Sequence, residues 1–119
     1  MRIAVSAKGP TIESAVDPRF GRAPYILLVD PDTLEFDAVA NQINLQAAQG
    51  AGIQTASLVA RHKPAAVLTG HCGPKAFQTL QAAGIQVIVE VDGPVRQAVE
   101  HYRAGQLTPA RTPNVTGHW

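Results

Sequence analysis

The sequence predicts an α/β domain with a five-stranded mixed sheet, and three observations predict it. Short apolar runs rich in Val, Ile and Leu alternate with longer stretches of helical period. Clusters of Gly, Pro and Asp punctuate the chain between them. Hydrophobic residues make up 45% of the 119 positions and aromatic ones only 5%, which suits β-branched strands covered by Ala-rich helices rather than an aromatic-filled barrel. A chain of this length holds one ordinary core.

The elements follow in order. Arg2 to Ala7 reads as a strand ended by Lys8-Gly9-Pro10. Thr11 to Pro24 has no period and carries Pro18, Gly21 and Pro24, so it is a long loop, and long ordered loops are often functional. Tyr25 to Asp30 is a second apolar run, Pro31-Asp32 supplies a turn, and Leu34 to Val39 alternates as an antiparallel partner. From Ala48 to His62 apolar residues recur at helical spacing until Lys63-Pro64. Ala66 to Thr69 is a buried strand, and Gly70-His71-Cys72-Gly73-Pro74 opens a second helix that stops at Gly84. Gln86 to Val91 is the last strand. Asp92-Gly93-Pro94 then opens a third helix, in which Val95, Ala98, Val99 and Tyr102 share one face before Gly105. Residues 106–119 are polar and contain Pro109 and Pro113, so a flexible tail follows a domain spanning residues 1–105.

An antiparallel hairpin group followed by two right-handed crossovers gives strand order 3-2-1-4-5, with strand 2 antiparallel to the rest and three helices on the sheet. The chain changes direction between strands 1 and 4. A crevice should therefore open at their carboxyl ends, between the Ser6–Gly9 turn and the Gly70–Lys75 loop.

Net charge is +1, too small a field to recruit nucleic acid or a membrane surface. No apolar stretch reaches the length of a signal core or a membrane span, and a single Cys forms no intrachain disulfide, so a cytoplasmic location is expected. The charge is unevenly spread. Arg2, Lys8, Arg19 and Arg22 face only Glu13 and Asp17 near the start, whereas Asp30, Asp32, Glu35 and Asp37 crowd one short stretch. One end should attract anions and another repel them.

The Gly70–Lys75 loop carries the strongest local signal. Gly70 and Gly73 allow close backbone approach, and the helix that follows presents unpaired N–H groups at a positive dipole end. The same spacing also serves a tight strand-to-helix turn and nothing more. Lys75 sits in the first helical turn, where a cation costs roughly 0.3–1 kcal/mol unless an anion binds there. Cys72, the only thiol, is expected to have a lowered pKa beside His71 and Lys75 and to be a soft-metal ligand; the alternative is a small buried hydrophobe. Arg19 and Arg22 flank Phe20-Gly21, a spacing that can aim two guanidinium groups at one anion while Phe20 anchors the loop. His118, near the chain end, is a further candidate ligand if the tail folds over the crevice, and part of a frayed end if it does not.

Enzyme readings fare poorly. Ribonuclease H-type nucleases share this strand order but need convergent carboxylates, one of them on the first strand, and Arg2 to Ala7 has none. A cysteine hydrolase would need an orienting third group beside Cys72 and His71, and no phosphate-loop or dinucleotide fingerprint occurs.

The opening strand Met1 to Ser6, Asp17-Pro18-Arg19-Phe20-Gly21-Arg22 with Pro24-Tyr25, and Gly50-Ala51-Gly52-Ile53 together resemble the dinitrogenase iron-molybdenum cofactor-binding family. The likeness continues through Thr69-Gly70-His71-Cys72-Gly73-Pro74-Lys75-Ala76-Phe77, Ala83-Gly84-Ile85 and Pro113 to Trp119. It implies a ribonuclease H-like fold without the nuclease residues, used to bind or deliver a metal-sulfide cofactor. Among stand-alone members of similar length it implies a molybdenum-containing sulfide cluster, with copper as a further constituent, and cluster donor or acceptor proteins as partners. Such a cluster brings its own sulfides and negative charge. Cationic groups and N–H donors at Lys8, Arg19, Arg22, Gly70, Gly73 and Lys75 would then bind it, with His71, Cys72 and His118 as metal ligands. One Cys cannot hold a conventional four-thiolate iron-sulfur centre. The competing reading is a regulatory module for a small anionic metabolite in the same crevice.

Overall fold

The computed structural model describes residues 1–41 and 50–114. Five strands, β1 (Ile3–Ala7), β2 (Tyr25–Val29), β3 (Phe36–Ala40), β4 (Ala66–Leu68) and β5 (Gln86–Ile88), form one sheet in order β3-β2-β1-β4-β5. β2 runs antiparallel to both β1 and β3, whereas β1–β4 and β4–β5 are parallel. The expected mixed sheet and strand order are what the chain adopts. The described helices are α1 (Ala51–Arg61), α2 (Pro74–Ala82) and α3 (Val95–Arg103), with a 3-10 turn at Phe20–Arg22. The expected start of the first helix at Ala48 lies outside the described residues.

Side chains of a strand alternate between faces, so the sheet divides the core in two. On one face Ile3, Val5, Ala7, Leu27, Val29, Ala66 and Leu68 pack beneath Val95, Ala98 and Val99 of α3. On the other, Ala4, Ile26, Leu28, Val67 and Val87 meet Ala56 and Val59 of α1 and Ala76, Phe77 and Leu80 of α2. β1 is buried along its whole length because both faces are covered.

Several boundaries differ from expectation, each for a local reason. The last strand ends at Ile88 rather than Val91, since Glu90 adopts φ 63° and turns the chain. β3 begins at Phe36 rather than Leu34. Leu34 has φ 64° and closes the hairpin, with its N–H donating to the Asp30 carbonyl at 2.8 Å. The Asp30 carboxylate accepts from the N–H groups of Asp32 and Thr33 at 2.8 and 3.3 Å, which fixes that turn.

The segment expected as a long ordered loop, residues 11–24, is tied to the body at several points. Ala7 bridges Val16, Ala15 bridges Pro94 and Arg19 bridges His71. The N–H groups of Val95 and Arg96 donate to the Ser14 and Ile12 carbonyls at 2.8 Å each, so this segment caps α3. The tail expected to be flexible is, in its described part, laid on the domain. Leu107 and Ala110 pack against the two core clusters, and the Ala110 N–H donates to the Val87 carbonyl at 2.7 Å, covering the outer edge of β5.

Register fixes the polarity of the molecule. Ile3 lies opposite Val29 and Ala7 opposite Tyr25, so the acid-rich hairpin turn sits at the amino end of β1. The crevice loops follow its carboxyl end. A five-residue strand is about 17 Å long, so the two ends are separated by more than a Debye length at physiological salt.

Candidate functional site

Two segments meet at the carboxyl ends of β1 and β4, where the crevice is expected. Ser6, at the carboxyl end of β1, is fully buried, and its Oγ lies 2.7 Å from both the Asp17 carbonyl oxygen and Thr69 Oγ1. A carbonyl only accepts, so the Ser6 hydroxyl donates to Asp17 and the Thr69 hydroxyl supplies the other proton. The Asp17 N–H returns a bond to the Ser6 carbonyl at 2.9 Å. The first loop, β1 and the end of β4 are thus locked by buried polar contacts in place of apolar packing.

Beyond these contacts the two loops run side by side. The His71 N–H donates to the Pro18 carbonyl at 2.6 Å and the Phe20 N–H to the His71 carbonyl at 3.3 Å. A Cβ on Gly70 would stand 2.6 Å from Pro18 Cα, so only glycine permits this approach. Gly70 is therefore the point where the loops touch. Phe20, with no exposed surface, packs into the cluster formed by Ala56, Val59 and Phe77, anchoring the loop as its sequence implied. The buried Asp17 carboxylate accepts the Arg19 N–H at 2.9 Å and lies 3.6 Å from Arg19 Nε. That contact holds one guanidinium beside the crevice while half of the Arg19 side chain remains in water.

The candidate cations do not all converge. Arg19 is drawn into the ladder with His71. Arg22 ends the 3-10 turn, half-buried, and Lys75 is exposed on the first turn of α2. Lys8 is exposed too, but its N–H pairs with the Ala15 carbonyl at 2.9 Å. It therefore sits beside Ala15, four residues before Arg19 in the chain, where the first loop turns toward α3. His118 lies outside the described residues.

Gly73 precedes α2 without a side-chain cap, and Pro74 occupies the first turn. Pro74 has no N–H, the Phe77 N–H already reaches the Gly73 carbonyl at 2.9 Å, and the N–H groups of His71 and Cys72 are spent on Pro18 and Asn114. Among the described residues, the N–H groups of Gly73, Lys75 and Ala76 at the helix start have no acceptor.

Cys72 departs from expectation. Its side chain is fully buried in the cluster beneath α1 and α2, with Sγ 3.8 Å from the Gly73 carbonyl. Burial pushes the thiol up to about 12 rather than down, because an apolar surround disfavours the thiolate. The residue before the helix turns inward, where its volume fills the core. Among the described residues no group of three or more His, Cys, Asp or Glu side chains gathers to hold a metal ion.

Asn114 is the residue that sequence reading missed. Its Oδ1 accepts the Cys72 N–H at 2.9 Å, its Nδ2 donates to the Gly70 carbonyl at 3.0 Å, and its own N–H reaches the Cys72 carbonyl at 3.3 Å. Beyond its place in the Pro113 to Trp119 stretch of the family likeness, its trace in the sequence is an Asn in a polar segment, a pattern shared with any surface turn.

The fold recurs in known proteins. The family described as dinitrogenase iron-molybdenum cofactor matches residues 1–105. The apo form of the orange protein from Desulfovibrio gigas is 46% identical over 96% of each chain, with a TM-score of 0.92. A Thermotoga protein described under the name NifB and placed in the DUF35 family is 28% identical over 98% of each chain, with a TM-score of 0.81. A Methanocaldococcus jannaschii protein described as a dinitrogenase shares the fold, at 14% identity and a TM-score of 0.69 over 95% of this chain and 97% of that one. No curated protein matches the chain.

Proposed function

The chain belongs to the dinitrogenase iron-molybdenum cofactor family, and from that membership we propose that it binds and carries an anionic molybdenum-containing sulfide cluster. The crevice formed by residues 16–22 and 70–76 is the binding site. One observation supports the reading: Gly70 lets the loop that carries Arg19 lie against the loop that leads into α2, Arg19 bridging His71 while its guanidinium is held by Asp17. Fixed positive charge and N–H donors suit a ligand that arrives with its own sulfides. The protein then supplies orientation and charge rather than a full ligand set.

Cys72 contributes no thiolate in this conformation, so the cluster is held through Arg19, Arg22, Lys75 and the first-turn N–H groups, with Lys8 acting through its longer-range field. Copper is the second metal of the proposal, because bound sulfide is a soft ligand for Cu(I) without any protein thiol. The reading assigns no catalytic step. Proteins that donate and accept the cluster are its partners, in the cytoplasm; no helix among the described residues is long and apolar enough to cross a membrane. The strand order fits the ribonuclease H-like kinship, while β1, Ile-Ala-Val-Ser-Ala, lacks the acid that nuclease chemistry needs there.

The test is reconstitution. Apo-protein mixed anaerobically with tetrathiomolybdate and a copper salt, then desalted, should keep colour and stoichiometric molybdenum. If neither metal is retained while a phosphorylated metabolite binds tightly, the crevice serves a regulatory module instead.

A further inference from the structure

The Asn114 amide has its orientation dictated by backbone groups that cannot exchange roles. The Cys72 N–H can only donate, so Oδ1 faces it at 2.9 Å; the Gly70 carbonyl can only accept, so Nδ2 faces it at 3.0 Å. The same Nδ2 stands 3.4 Å from Nδ1 of His71. An NH₂ group has no lone pair to offer a ring N–H, so this contact is a hydrogen bond only where Nδ1 is the acceptor and carries no proton. In neutral imidazole the proton then belongs to Nε2.

We propose that Asn114 sets the tautomer of His71, making His71 an Nε2–H donor toward an anion rather than a metal ligand through Nε2. The inference rests on the cluster-carrier reading only for what that proton serves; the tautomer itself is a property of the apo-protein. It reverses the role that residue type suggested for His71. A ring whose Nε2 bears hydrogen offers no lone pair there, but it adds a neutral donor to the charged ones of Arg19 and Lys75. It also gives the segment that carries Asn114 a part in the site. The amide that fastens this segment to the Gly70–Cys72 loop is the group that orients the donor.

Long-range ¹H–¹⁵N NMR of the apo-protein, at a pH where imidazole is neutral, reads the tautomer, with His71→Phe used to assign its signals. The parent should show unprotonated Nδ1. In Asn114→Asp the carboxylate can only accept, so His71 should change to the Nδ1–H form, and Asn114→Ala should give a mixture. If Asn114→Asp keeps the parent tautomer while circular dichroism shows the fold intact, the proposal is overturned, as it is if the parent carries Nδ1–H. A double-mutant cycle then separates tautomer from charge. Asn114→Asp should weaken tetrathiomolybdate retention about tenfold in the parent and much less in His71→Phe, because there is no ring left to reorient. An equal loss in both backgrounds would mean that Asn114 acts by charge or structure alone and would also overturn it. Failure of the parent to hold tetrathiomolybdate would count against the carrier reading and leave the NMR result to decide the tautomer.

Discussion

The backbone N–H of His71 lies 2.6 Å from the Pro18 carbonyl oxygen, and that contact joins the two loops of the proposed site. It exists because residue 70 has no side chain. A methyl group there would sit 2.6 Å from Pro18 Cα and 2.8 Å from its carbonyl oxygen, both backbone-bound atoms with little freedom to move. Gly70→Ala should therefore part the loops, costing about 1–3 kcal/mol by overpacking. Urea unfolding would show the loss of stability, and tetrathiomolybdate retention should fall with it.

Arg19 acts in water and charge rather than in the core, so its removal should separate binding from folding. With Arg19→Ala and Arg22→Ala together, cluster retention should drop by about tenfold or more, as expected when charge-assisted bonds to an anion are lost. The buried Asp17 carboxylate keeps the Arg19 backbone N–H at 2.9 Å, and the Arg19 side chain is half-exposed, so losing the 3.6 Å contact between them should cost about 1 kcal/mol. Parallel metal analysis and thermal melts check both halves; a double variant that binds as well as the parent would remove this loop from the site.

Cys72 should behave as a core residue. Its thiol, pushed up to about 12 from an ordinary 9.0, should react slowly with Ellman's reagent in the native protein and at once in denaturant. The unfolded thiol ionises first as pH rises, so its contribution to stability is full below about pH 9 and is lost progressively between there and about 12. Cys72→Ser should be destabilised, by about 1–3 kcal/mol for a hydroxyl placed in that cluster, yet still hold the cluster's colour. Colour lost from a folded Cys72→Ser would make the thiolate a ligand.

The hairpin turn offers a pH test away from the crevice. Hydrogen bonds from the Asp32 and Thr33 N–H groups hold the Asp30 carboxyl below its ordinary value of 3.8. A lowered folded value stabilises the protein above the ordinary value and ceases to do so as pH falls through the lower one. Asp30→Ala should thus lower Tm at neutral pH, with a cost that shrinks in strongly acid solution. An NMR titration of Asp30 reads the shift directly.

What the sequence disclosed and what it hid follow from the range of the interactions involved. Strand order was legible because breakers such as Pro31-Asp32 and the i, i+3, i+4 pattern at Val95, Ala98 and Val99 are local signals that agree with the global fold. The Gly70 turn was legible as a close approach, although Pro18 as the neighbour was not. Cys72 stayed open between a low-pKa ligand and a small buried hydrophobe because a polar, glycine-flanked position in the chain says nothing of which way the side chain turns, and here it turns into the core. Asn114 was invisible for a related reason. Its partners lie 42 to 44 positions earlier in the chain, and a lone Asn in a Pro-rich segment carries no period that could reveal them.

The most direct test of the central claim is elemental analysis, with a visible spectrum, of the protein isolated anaerobically from its native source. A charge-held carrier should come away coloured, with molybdenum and acid-labile sulfide in stoichiometric amount, and should lose both when Arg19 and Arg22 are replaced by Ala in that same host. Colourless parent protein without molybdenum, carrying a small phosphorylated or carboxylic metabolite in its place, would contradict the account.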